Sequence, residues 1–127
     1  MTAAPGLLRP PGAALLLCLL LALALPAAAQ GATLERFPGI PNTMLLSEAQ
    51  PEANLIVVED RRGSVVITDH AGPLSMKRAF GCLRLDERSA RCWLTKRVAL
   101  DLGESNDVAN IATAREVWLD GGAGDDR

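Results

Sequence analysis

The last eight residues, Asp120-Gly121-Gly122-Ala123-Gly124-Asp125-Asp126-Arg127, carry the pattern most suggestive of chemistry in this chain. Glycines at 121, 122 and 124 permit sharp turns with positive φ and let backbone carbonyls come close to an ion. Asp126 adds a carboxylate two residues after the last glycine, and Asp120 stands before the first. Such an oxygen-only, anionic donor set suits a hard cation such as Ca²⁺. The competing reading is an ordinary surface turn, because glycine and aspartate crowd into turns without any ion.

A second polar turn lies upstream. Leu102-Gly103-Glu104-Ser105-Asn106-Asp107 aligns with Gly121-Gly122-Ala123-Gly124-Asp125-Asp126, placing Gly103 opposite Gly122 and Asp107 opposite Asp126. Leu102 and Ser105 occupy two of the glycine positions, so this copy is degenerate. Around the two turns, Val98, Leu100 and Leu102 alternate with Ala99 and Asp101, the period of a half-buried strand. Val108–Ile111 and Val117–Leu119 read as two further short strands. Strand and turn recurring every nine or ten residues predict the winding of a solenoid.

In order, Gly121, Gly122, Gly124 and Asp126 fit the nonapeptide G-G-x-G-x-D-x-U-x. By these residues the chain resembles RTX-type (hemolysin-type) calcium-binding repeat proteins, in particular the N-terminal portion of a secreted bacterial member. The resemblance spans roughly residues 52–127, although only the last eight carry the specific motif. It implies a parallel β-roll in which stacked turns hold Ca²⁺. The implied ligands are the carboxylates of Asp107 and Asp126, with backbone carbonyls of the Gly121, Gly122 and Gly124 turn, and Asp120, Asp125 and Glu104 as outer candidates. A complete solenoid needs about three or more repeats, so the resemblance also implies the front part of a longer product, or a degenerate member. One alternative is an RTX-bearing hydrolase whose catalytic domain lies elsewhere. G-x-S-x-G and H-E-x-x-H are both missing from the sequence, and its single histidine, His70, has no evident partner. The expectation is therefore a protein that is not an enzyme. A further alternative is a metal-free, disulfide-linked β domain that binds a protein.

These turns need a scaffold to position them. Residues 1–29 read as a secretory signal peptide: Arg9, an apolar run over Ala13–Leu25, Pro26, then Ala27-Ala28-Ala29. The run falls short of the roughly 20 residues of a membrane span, so an exported chain without stable membrane insertion is expected, against an uncleaved anchor. Residues 30–54, punctuated by Pro38, Pro41 and Pro51, read as a flexible arm. Residues 55–97 are predicted to open with a β-hairpin, Leu55–Glu59 and Ser64–Asp69, around the polar turn Asp60–Gly63. Leu74–Leu85 is left open between a strand and a helical turn.

Cys82 and Cys92 remain after cleavage, and in an oxidising compartment they read as one disulfide flanking the polar turn Asp86–Ser89. Too few His or Cys residues accompany them for a metal site. Residues 98–127 form the degenerate coils. They hold seven acidic residues and two basic ones, Arg115 and Arg127, a balance that repels nucleic acid and attracts cations. The fold class expected is all-β, a hairpin segment leading into the start of a parallel β-roll.

Overall fold

The computed structural model describes residues 31–48 and 53–127, so the signal-peptide reading of residues 1–29 lies outside the described residues. Alternating apolar positions set the β-hairpin that sequence reading expects. In β3 (Leu55–Arg61) Ile56 and Val58 face the core, and in β4 (Ser64–Asp69) Val65 and Ile67 do so. The two strands pair antiparallel, with Arg61 opposite Ser64. The turn between them is therefore two residues, Arg62 and Gly63, both with positive φ, shorter than the Asp60–Gly63 turn expected. Such turns match the right-handed twist of the strands they join.

Residues 33–47 correct the expectation of a flexible arm. They form β1 (Thr33–Arg36) and β2 (Thr43–Ser47), with Leu34, Met44 and Leu46 fully buried. The physical reason is long-range pairing. β2 lies between β1 on one side and β8 (Arg97–Asp101) on the other, with Met44 opposite Val98 and Leu46 opposite Leu100. A segment too short to bury its own apolar face is ordered here by two partner strands.

Leu74–Leu85 resolves into two short strands, β5 (Ser75–Met76) and β6 (Cys82–Arg84). β6 forms a hairpin with β7 (Ser89–Cys92), and Cys82 stands directly across from Cys92, to which it is disulfide-bonded. β9 (Val108–Ala112) and β10 (Glu116–Asp120) come next. No helix occurs among the described residues, so none there is long and apolar enough to cross a membrane.

The ten strands make two mixed sheets, ordered β10-β8-β2-β1-β5 and β6-β7-β4-β3-β9. Leu34, Met44, Leu46, Val98 and Leu100 of the first sheet join Ile56, Val58, Val65, Ile67 and Cys92 of the second in one apolar core. Two runs of parallel pairing bring the polar turns to one place. β2, β8 and β10 run parallel in register, Ser47 beside Asp101 beside Asp120. On the other sheet β3 and β9 run parallel, Leu55 beside Val108. β2 and β8 thus end at the edge where β3 and β9 of the other sheet begin, and after β10 Arg127 reaches β9 at the same edge.

Candidate metal centre

Parallel register stacks the two polar turns. Leu102 donates its N–H to the carbonyl of Asp120 at 2.9 Å, fixing the start of one turn on the start of the next. Gly103 and Gly122 both adopt left-handed φ, 69° and 68°. Only glycine suits Gly122 on a second count: a Cβ there would land on the carbonyl oxygen of Gly103. At Gly124, φ 115°, a Cβ would meet the carbonyl of Ser105 in the same way. The glycines of the last turn thus admit carbonyls of the turn before it, a cradle that side chains would fill.

Asp107 and Asp126 are brought together as the sequence pattern expects. Asp126 Oδ1 accepts the backbone N–H of Asp107 at 2.9 Å. Asp126 Oδ2 folds over Gly121, 2.6 Å from where a Cβ would stand. Asp107 Oδ1 in turn accepts the backbone N–H of Asn54 at 2.8 Å. The main chain repeats the relation, since Val108 donates to the carbonyl of Asn54 (2.9 Å) and Arg127 to that of Asp107 (2.8 Å). Asn54, Asp107 and Asp126 are therefore three rungs of one ladder, each the last residue of a crossing.

The middle rung is electrostatically uncomfortable. Asp107 is fully buried, and its Oδ2 has no hydrogen-bond partner. Burial pushes its carboxyl above the ordinary range; the N–H of Asn54 opposes this, and the neighbouring Asp126 charge reinforces it. An orphaned buried carboxylate oxygen carries a desolvation cost that either a proton or a cation removes. That oxygen, the adjacent Asp126 carboxylate and the carbonyl-lined turn form an all-oxygen donor set of the hard type Ca²⁺ prefers, and to that extent the residues fit the ion.

The other candidates lie apart. Asp120 is exposed and uses Oδ1 to accept the N–H of Gly122 at 2.9 Å, a local turn bond. Asp125 contributes its backbone, donating to Asn106 Oδ1 at 2.8 Å. Among the described residues no group of three or more His, Cys, Asp or Glu side chains gathers at one point. Two carboxylates therefore supply only part of the six to eight oxygens Ca²⁺ takes, and the backbone would have to supply more.

Sequence reasoning missed Asn54, assigned to the arm. Its signal was available: it stands immediately before Leu55-Ile56-Val57, as Asp107 stands before Val108-Ala109-Asn110. Also missed was Asp60, which reaches from β3 to the turn between β9 and β10. It accepts from Thr113 Oγ1 (2.6 Å) and Ala114 N (3.0 Å) and pairs with Arg115.

No family model, no curated protein and no solved structure matches this chain.

Proposed function

We propose that this chain is an extracellular calcium-binding structural module of the RTX type, in which Ca²⁺ and the last crossings of a β-roll order one another. One observation carries the reading: the buried, partnerless Oδ2 of Asp107 stands beside the carboxylate of Asp126, where two glycine-bearing turns stack in register. Asp107 and Asp126 would hold the ion together with backbone carbonyls of the 103–107 and 121–126 turns. The ion supplies positive charge beside the buried Asp107 carboxylate and its exposed neighbour Asp126. Because the ligands repel until it arrives, binding and ordering are coupled. The signal-peptide reading of residues 1–29 and the Cys82–Cys92 bond are in keeping with an oxidising, calcium-rich exterior.

A second reading is favoured by the ladder itself. Each carboxylate already accepts a backbone N–H from the crossing before it, a role that needs no metal. A thermal melt with Ca²⁺, with Mg²⁺ and with chelator separates the two. A calcium module gains stability from Ca²⁺ at millimolar concentration and far less from Mg²⁺. A metal-free ladder melts alike in all three and responds only to reduction of the disulfide.

A further inference from the structure

The far end of the molecule from the acidic turns is built differently. Phe80 and Leu94 are 72% and 76% exposed, the highest of the large apolar side chains among the described residues. Both line one cleft, together with Arg36, Asn42 and Gly81. Exposed apolar residues on loops normally move; these are mounted rigidly. The guanidinium of Arg36 donates to the carbonyls of Phe80 (2.6 Å), Trp93 (2.8 Å) and Leu94 (3.2 Å), tying two loops to one cation. Trp93 N–H closes the arrangement on the carbonyl of Gly81 at 2.9 Å. On the adjoining outer face of the β6–β7 hairpin, Leu83 is exposed opposite Arg91, which stacks on the Trp93 ring at 4.9 Å.

Basic side chains predominate around this apolar tip. Lys77, Arg78, Arg91 and Lys96 stand at this end, with Arg97 paired to Glu116, in a chain whose net charge is −2. Lys77, Arg78 and Lys96 flank Phe80 and Leu94 in sequence, are exposed, and form no ion pair with a described residue. The opposite end carries the acidic turns, with Asp101, Asp107, Asp120, Asp125 and Asp126. A dipolar molecule of this kind meets an anionic surface with its basic end first.

From this geometry we infer that the Phe80–Leu94 tip is a peripheral docking surface for anionic lipid. Phe80 and Leu94 enter the acyl boundary, Trp93 sits at headgroup depth, and Lys77, Arg78 and Lys96 meet the phosphates. Apolar area and basic charge act together in such binding, and aromatic rings suit the interface. Charge complementarity favours lipid over an apolar protein partner, which would not require a ring of unpaired cations. The inference is independent of calcium, because none of these residues belongs to the stacked turns.

The test is cosedimentation of the exported chain, recovered from the medium of a secreting host, with vesicles in chelator. Binding is expected to vesicles containing phosphatidylglycerol and not to pure phosphatidylcholine. Phe80→Ser/Leu94→Ser should weaken it by about tenfold or more, given what burying two such side chains contributes. Lys77→Glu/Lys96→Glu should weaken it by a similar factor. Both pairs are exposed, so the melting temperature should hold; if the apolar variant fails to fold, the lysine variant decides. Equal binding to neutral vesicles, binding to neither kind, or undiminished binding by the folded variants would overturn the inference. So would retention of the wild type by a soluble polyanion with the apolar variant still bound fully to anionic vesicles, which would mean charge alone is read.

Discussion

Asp107 gives its backbone N–H to Oδ1 of Asp126 at 2.9 Å, while its own carboxylate reaches back to the N–H of Asn54. Asp107 is thus bonded to the rung on either side. The arrangement explains why an aspartate ends both of the last two crossings: a short acceptor at that position stitches one crossing to the next. It also leaves Asp107 Oδ2 buried and without a partner.

Replacing Gly122 by alanine should unfasten the last turn. Its φ of 68° disfavours any side chain, and the added Cβ would collide with the Gly103 carbonyl. The left-handed backbone alone costs about 1–2 kcal/mol, and backbone against backbone leaves nowhere to relax. Hydrogen exchange should show residues 121–127 losing protection while the β3–β4 hairpin keeps it. Gly39, whose Cβ would meet open space at a similar φ of 77°, provides the matched control.

Leu34→Ala should destabilise the whole fold by about 2–5 kcal/mol, the usual range for truncating a buried leucine. Leu34 is fully buried and stands opposite Leu46 across the β1–β2 pair. A chemical denaturation curve measures the loss. Indifference to this change would restore the flexible-arm reading of residues 30–54.

Much of the second half was legible because its signals are local. Val98-Ala99-Leu100 alternates, the 103 and 122 glycines announce turns, and the cysteines flank a polar turn. β1 and β2 were hidden because they are four and five residues long among prolines, and they are completed by β5 and by β8, some forty and fifty residues later. Local pattern cannot report a partner strand of that separation. Arg36 was opaque for the same reason, since its three carbonyl partners lie 44 to 58 residues away. At the candidate site, the residue types were readable and the ladder was not, because it depends on the parallel register.

Asp60 should give the fold a measurable acid sensitivity. Its carboxyl is held below the ordinary value of 3.8, first by the Thr113 hydroxyl, then by Ala114 N–H, with Arg115 adding to both. A depressed folded value means this stabilisation is complete above the unfolded value and is lost as pH falls through the lowered folded one. Asp60→Asn should remove that component of the acid limb and lower stability at neutral pH by about 1 kcal/mol or less, since the group is partly exposed and screened. Thermal melts of both proteins across the acid range check the sign.

Asp107→Asn separates the two uses of the site. The amide keeps an acceptor for Asn54 N–H and removes a buried charge beside Asp126. In chelator the variant should be as stable as the wild type or more so, by about 1 kcal/mol. With calcium the order should reverse, because the wild type gains and the variant does not. Paired melts with and without the ion would show the crossing.

The most direct measurement is a calorimetric calcium titration of the purified chain beside Asp107→Asn/Asp126→Asn. The account predicts saturable heat for the wild type, with a calcium-dependent rise in melting temperature, and neither in the double variant. Flat heat for the wild type at millimolar calcium, or equal binding by the variant, would contradict it and leave the ladder as a metal-free fastening.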